Sequence, residues 1–404
     1  MTQKILSFIF VCVAVMSPAA AQKELKALRA FVKAKNTSEA MKEVARLEAD
    51  SICQYMPKLY ELAVKAQIQI NDIENEKVYL KKECDTAKLF ESTRQIFHYV
   101  HKCDSVERLQ MEFLGKKHEL DYSKVKLLHR YYKNLEAGTR YFYSRKKYPE
   151  AQRHLHTLLR LSKSPLWVVT PVDTLSKEHI TNAYMYTYSA FTNKDYAEVE
   201  RYKHLLLSDE DYYATALEMY ARTANDTGKS MEFEKYLEQG VATLPLHDYF
   251  FEELATLYTA DERYAQCVSL ADQRLAADAN CLKAMYLKAF SLYQLEEEKA
   301  CIEVSKQLVA ADTAHLYADA NFYAGELIMN ELQTIYLPTR IRSKAFEEAK
   351  REMKRVCSEA LPYLERYRKL CPSQREKWAP LLYRIYLELN MGPEFEEIST
   401  YMQV

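Results

Sequence analysis

From Tyr249 to Asn280 the apolar positions fall three and four residues apart, first as Leu254, Leu257 and Tyr258, then as Cys267, Leu270 and Ala271. That spacing gives each of two helices one face to bury. It predicts a first helix near Tyr249 to Ala260, a polar turn at Asp261-Glu262-Arg263, a second helix near Tyr264 to Ala277, and a stop at Asp278-Ala279-Asn280. Such a pair cannot cover its apolar stripe alone, so neighbours must stack on it. The pattern returns with a period of 34, pairing Cys267 with Cys301, Ala255 with Ala289, Ala277 with Ala311, and Asp278 with Asp312. One period before Ala255 stands Ala221, and one before Ala279 stands Pro245; Tyr196 and Tyr264 are two periods apart. Repetition near this length indicates a solenoid of helix pairs.

These residues resemble the tetratricopeptide repeat (TPR), with its large apolar residue, small residue, aromatic, small residue in the second helix, and helix-ending Pro. Leu254, Ala255, Tyr258, Cys267 and Ala279 stand at those places. Ala279 departs from the usual Pro, which Pro245 and Pro372 supply in other units, and Gly228 matches the turn glycine of the unit before. The fragments KKYPEA (Lys146 to Ala151) and NKDYAEV (Asn193 to Val199) match the turn into the second helix. The resemblance covers most of residues 132–404 and is weaker before that. It implies an all-α fold, a TPR-like right-handed α-solenoid of stacked antiparallel helix pairs.

Four segments are expected along the chain. Residues 1–21 read as a signal peptide and 22–131 as divergent helical repeats. Residues 132–313 read as regular units with an inserted loop near 166–179, and 314–404 as an enlarged helix pair followed by a capping pair. The insertion follows from Tyr148 and Tyr196, which are 48 apart, 14 more than the period. In the first third, helices are expected near Glu24 to Ala34, Ser38 to Asp50, Pro57 to Ile70 and Thr86 to His101, with Thr37 and Asp85 as N-caps. Toward the end they are expected near Ala314 to Thr334, Lys344 to Leu370 with a kink at Pro362, Trp378 to Leu389, and Pro393 to Met402.

Composition sharpens this picture. Only 6 Gly and 11 Pro among 404 residues leave little material for sheet turns and long loops. With 56 basic against 57 acidic residues, no global charge draws the chain to nucleic acid. Tyrosine, at 32 residues, suits half-buried surfaces because its ring packs while its hydroxyl stays polar. At the N-terminus, Lys4, the apolar run Ile5 to Met16, Pro18 and Ala19-Ala20-Ala21 have the order of a secretory signal cleaved after Ala21. No other segment is apolar enough to span a membrane. The fragments YLKKECDTAKLF and KCDS are similar to exported TPR proteins common in Bacteroidetes, many without an assigned activity. The expected location is therefore the periplasm or cell envelope of a Gram-negative bacterium.

Candidate chemistry is sparse. Eight cysteines remain beyond Cys12. A continuous helix would hold Cys84 and Cys103 ~28 Å apart and Cys357 and Cys371 ~21 Å apart, too far for either pair to bridge. His98 and His101 share a helical face, with Cys103 and Asp104 just beyond, a spacing that could hold zinc or could be a solvated helix end. No HExxH or CxxC supports a metal, and no cofactor is expected. Arg340, Arg342, Lys344, Lys350, Arg351, Lys354 and Arg355 form a basic run interleaved with Glu347, Glu348 and Glu352. It reads either as a surface for an anion or as a solvated face with pairs such as Glu347–Arg351. GxGxxG, P-loop and GxSxG motifs are missing, and no nucleophile–base set stands out, so the chain is not expected to be an enzyme.

The TPR resemblance implies a concave groove lined by first helices. Tyr184, Tyr188 and Phe191 would face it from one unit, Glu218, Arg222 and Asn225 from the next, then Tyr249, Glu252 and Thr256, then Tyr286, Phe290 and Tyr293. Tyr184 and Tyr286 are 102 apart, three periods, as are Tyr188 and Phe290. Aromatics beside charges are typical of interface hot spots, although such rings also serve as core. Glu218 and Glu252 stand where a carboxylate clamp would carry cations, which argues against chaperone-tail recognition. The expectation is a scaffold for a protein or peptide partner; the alternative is a glycan-binding module that stacks sugars on the same tyrosines.

Overall fold

The structure, a computed structural model, describes residues 23–168 and 171–401, so the leader and its cleavage site lie outside the described residues. The regular structure among the described residues is all helix, joined by turns and loops, with no strand among them. Contacts divide the chain into two compact units, 1–227 and 228–404. Within each, helices pack chiefly on their neighbours in sequence, as stacked helix pairs require.

The first unit contains α1 (Lys26–Lys33), α2 (Thr37–Ala49), α3 (Pro57–Tyr79), α4 (Thr86–Phe113), α5 (Tyr122–Ser144), α6 (Tyr148–Leu159), α7 (Lys177–Thr192), two short helices α8 (Tyr196–Val199) and α9 (Lys203–Leu206), and α10 (Tyr213–Asp226). A 3-10 turn, Arg160–Lys163, continues α6. Helices α3 and α4 overrun their predicted ends at Ile70 and His101. Polar groups carry the extension: Asn71 is fully buried yet donates to Ser92, Thr93 and the Leu89 carbonyl at 2.9–3.0 Å. Asp85 caps α4 as expected, accepting from the Lys88 amide at 2.9 Å. Thr37 does not cap α2; Asn36 does, accepting from Glu39 N at 3.3 Å, and Thr37 is the first helical residue. The expected loop at 166–179 is anchored at its start, where Leu166 and Trp167 are buried and Trp167 stacks on His129 at 4.0 Å.

The second unit contains α11 (Ser230–Thr243), α12 (Asp248–Ala260), α13 (Tyr264–Ala277), α14 (Leu282–Gln294), α15 (Glu298–Ala311), α16 (Asp319–Asn330), α17 (Lys344–Leu370), α18 (Arg375–Leu389) and α19 (Gly392–Ser399). Pro362 lies inside α17, which runs on past it. The expected helix at Ala314 begins late, because Asp312 turns the chain by accepting from Tyr317 N at 2.8 Å and His315 is left-handed. Close packing is visible at Gly325 of α16, where an added Cβ would stand 2.5 Å from Leu364 Cγ of α17.

The period is written into the backbone. The helices that open at Tyr196, Ser230, Tyr264 and Glu298 start 34 residues apart. Two residues before each stands a left-handed residue, respectively Lys194, Gly228, Glu262 and Glu296, and Lys146 does the same before Tyr148. Four of these turns also close a reverse bond from the next amide, Lys147 N to Phe142 O, Asp195 N to Ala190 O, Arg263 N to Tyr258 O and Glu297 N to Leu292 O, at 2.8–3.0 Å. This is the Schellman stop, which satisfies carbonyls at the helix end and reverses the chain within a few residues.

Candidate functional site

Tyr184 and Tyr188 lie one turn apart on α7, both half-buried. Tyr188 meets Tyr148 edge-on at 5.6 Å and Tyr143 at 6.1 Å, and Tyr184 stacks on Tyr212 at 4.5 Å. The run ends in polar groups. The Tyr212 hydroxyl lies 3.0 Å from Thr181 Oγ1, and Lys177, ion-paired to Asp211, sits over the Tyr212 ring at 5.5 Å. Phe191 is half-buried at the end of α7. On α10, Glu218 and Arg222 pair with each other at 2.8 Å, and Asn225 is exposed.

The second unit repeats the arrangement. Tyr286 and Phe290 lie one turn apart on α14, with Phe290 edge-on to Tyr264 at 5.9 Å and Tyr286 stacked on Tyr317 at 4.8 Å. Tyr264, like Tyr148, opens a second helix, and Tyr317, like Tyr212, precedes the next first helix. A hollow of about 590 Å³ lies between α12 and α14, walled by Glu252, Thr256 and Thr259 on one side and Lys283, Tyr286 and Phe290 on the other. Phe251, Ala255 and Leu287 form its apolar floor. Glu252 and Lys283 are ion-paired across it. Tyr249 packs on Phe250 at 5.3 Å, and Tyr293 stacks on Tyr323 at 4.4 Å while donating to Glu326 at 2.6 Å.

Burial pushes the phenols of Tyr143, Tyr148, Tyr184, Tyr286 and Tyr317 above their ordinary range, so these hydroxyls keep their protons even in moderately alkaline solution. Of the predicted rings, Tyr184 comes together with Tyr188 and Tyr286 with Phe290, in company the period did not reveal, while Phe191, Tyr249 and Tyr293 stand outside these runs. Tyr143, Tyr148 and Tyr212 complete one run, and Tyr264 and Tyr317 the other. Tyr148 and Tyr264 had a signal in the sequence, since both open second helices at the turn signature; Tyr212 and Tyr317 had none, because the segments carrying them break the period.

The other candidates resolve differently. Cys103 belongs to the interior of α4, its thiol within reach of the Glu107 carboxylate at 3.4 Å and the Pro57 carbonyl at 3.5 Å, instead of joining His98 and His101 beyond a helix end. Asp104, Glu107 and His118 converge, but Arg108 and His118 hold Asp104 at 2.6 and 2.9 Å and Lys124 holds Glu107. In the basic run, Lys350 pairs with Glu388, and Arg355 with Glu331, Glu352 and Glu359, while Lys344 reaches Glu348 at 3.9 Å. Those partners favour the solvated face, with pairing different from the expected Glu347–Arg351.

No family model and no curated protein matches the chain. Among solved structures it is similar to the P58(IPK) TPR domain, at 10% identity over 92% of this chain and 98% of that one, with a TM-score of 0.26. It is also similar to a chain of Naa15/Naa10 bound to HypK-THB (14% identity, 94% of this chain, 63% of that chain, TM-score 0.32) and to yeast Tom70 (12%, 95% and 90%, 0.24).

Proposed function

We propose that this chain is a TPR-type interaction scaffold, exported to the cell envelope, that holds a protein or peptide partner on the tyrosine-lined faces of its first helices. One observation carries the reading: the same four-ring run, Tyr148–Tyr188–Tyr184–Tyr212 and Tyr264–Phe290–Tyr286–Tyr317, recurs in two units, with an ion pair close to one end of each. Half-buried rings offer apolar area with little conformational entropy left to lose, and the ion pairs beside them supply register. Stacking also favours a protein over a glycan, because Tyr184 and Tyr286 each spend a ring face on a neighbouring tyrosine rather than leaving it open for a sugar.

The test is capture from an envelope extract by the wild-type chain, Tyr188→Ala and Phe290→Ala, with bound protein identified by mass spectrometry. Each variant gives up aromatic contacts and part of a half-buried ring, a stability cost of about 1–2 kcal/mol, below the ~3–5 kcal/mol of a core ring. Both variants are expected to stay folded and to lose a partner that the wild type retains. Variants that melt early while capturing the same proteins would assign the rings to the core and end the reading.

A further inference from the structure

The second helices of the first unit carry a feature the ring runs do not use. Arg94, His98, His101, Ser105 and Arg108 are spaced four, three, four and three residues apart, which places them in one stripe along α4. Facing them, His156, Arg160 and Lys163 follow the same rule along α6 and its 3-10 extension. The two stripes wall a cleft of about 750 Å³, and Thr157 and Ser164 add hydroxyls to its lining. That volume suits a small organic ligand. The cleft exists because α4 runs past His101, which brings Asp104, Ser105 and Arg108 to the wall.

Its charge is one-sided. Asp104 is the sole carboxylate among the lining residues, and it is taken by Arg108 and His118. Arg94 is paired to Glu91 of its own helix at 2.6 Å. Arg160 and Lys163 are exposed and have no ion-pair partner among the described residues. The imidazoles do not add fixed charge. Burial first, and then neighbouring cations, hold His98, His101 and His156 below the usual histidine range, with His101 at about 4. At neutral pH they are N–H donors, and the field inside the cleft is set by the guanidinium groups and the ammonium. A metal cation would meet repulsion here. An anion with several oxygens would find two unspent cations and neutral N–H donors on both walls, whereas the Thr157 hydroxyl is spent on the Arg153 carbonyl at 3.0 Å and Ser164 Oγ lies 3.4 Å from His101 Nδ1.

We propose that this cleft binds a small polyanion bearing two or more phosphate groups. Lys163 and Arg160 take the charge directly, and His98, His101 and His156 donate to the remaining oxygens. The site is independent of the ring runs, since it is built from second helices rather than first.

Titration calorimetry of the mature full-length chain with tripolyphosphate tests it. One saturable site is expected, weakening as salt is raised. Arg160→Ala and Lys163→Ala alter exposed residues that the fold does not need, and each should weaken binding at least about ten-fold. Arg340→Ala/Arg342→Ala, an exposed basic pair in the second unit, should leave it unchanged. No saturable heat at millimolar tripolyphosphate, equal binding by Arg160→Ala/Lys163→Ala, or equal loss in the Arg340/Arg342 control would overturn the assignment. Cardiolipin vesicles, whose headgroup carries two phosphates, separate the sources of phosphate. Vesicle binding that tripolyphosphate displaces identifies a lipid headgroup as the natural occupant, and vesicle binding that it fails to displace counts against the cleft.

Discussion

The left-handed turns that set the period can be tested by exchanging glycine with its neighbours in the pattern. Gly228 has φ +70°, and an added Cβ would meet nothing within 4 Å, so its replacement would be felt in the backbone alone. Glu262 and Glu296 hold the same conformation at φ 56° and 58° with a Cβ in place, and both are exposed. A left-handed non-glycine residue costs about 1–2 kcal/mol, while glycine gives back about 0.4–1 kcal/mol through the freer unfolded chain. The net gain for Glu262→Gly or Glu296→Gly is then about 0.5–1 kcal/mol, and Gly228→Ala should lose a similar amount. The two glutamates stand in successive turns and share no partner, so the double variant should gain about 1–2 kcal/mol. Urea unfolding followed by far-UV circular dichroism reads this directly, as a midpoint raised by roughly 0.3–0.7 M for a slope near 3 kcal/mol per M. Should Glu262→Gly lower the midpoint, or Gly228→Ala leave it in place, the left-handed stop would not be what closes these helices.

Three further outcomes follow from particular contacts. Gly325→Ala should destabilise by about 1–2 kcal/mol net of the helix propensity it gains, and Leu364→Ala in the same chain should recover part of that loss; strictly additive effects in a double-mutant cycle would refute the close approach of α16 and α17. The Glu198 carboxyl is held down to about 2, first by its hydrogen bond from Arg201 and then by the Tyr186 hydroxyl, against the opposing effect of burial. A depressed folded value means its stabilisation is complete above about 4.5 and fades as pH falls toward about 2, so the stability gap between wild type and Glu198→Gln should close over that window; a gap that persists at pH 2 would contradict it. All eight described cysteines are unbonded, and burial pushes Cys53 and Cys103 up to about 12 and Cys301 and Cys357 up to about 11. A thiol reagent on the native chain should therefore label half-buried Cys84 and Cys281 well before those four, and the reverse order by peptide mapping would show that the core opens readily.

What could be read from the chain was its punctuation. Tyr264 to Ala277 and Lys344 to Leu370 emerge with the bounds expected of them, because a polar left-handed turn or a Ser cap marks one end and an apolar stripe fills the rest. The predicted ends of α3 and α4 failed for the opposite reason. Beyond Ile70 the sequence turns polar, and a hydrophobic period has nothing to count. Glu74 is nevertheless buried, its carboxyl bonded to Lys77 and the Asp85 amide at 3.0 Å. A side chain that is buried because its hydrogen bonds are complete looks the same in a sequence as one that is solvated.

The same limit explains the candidate site. A strict repeat places Tyr184 with Tyr286 and Tyr188 with Phe290, since equivalent positions need only the period. It also puts Glu218 and Glu252 in register, yet they find different partners: Glu218 turns to Arg222 on its own helix, while Glu252 reaches Lys283 on the next first helix. The lysine does not repeat, since Tyr249 stands one period before Lys283. Ring partners behave likewise. Tyr212 and Tyr317 come from linkers of unequal length that end beside the same two turns of α7 and α14. The period therefore fixes which residues share a face, and the departures from it fix what each face presents. A partner that discriminated between these faces would do so at Lys283 and Arg222, where the repeat is broken, more than at the tyrosines, where it is kept.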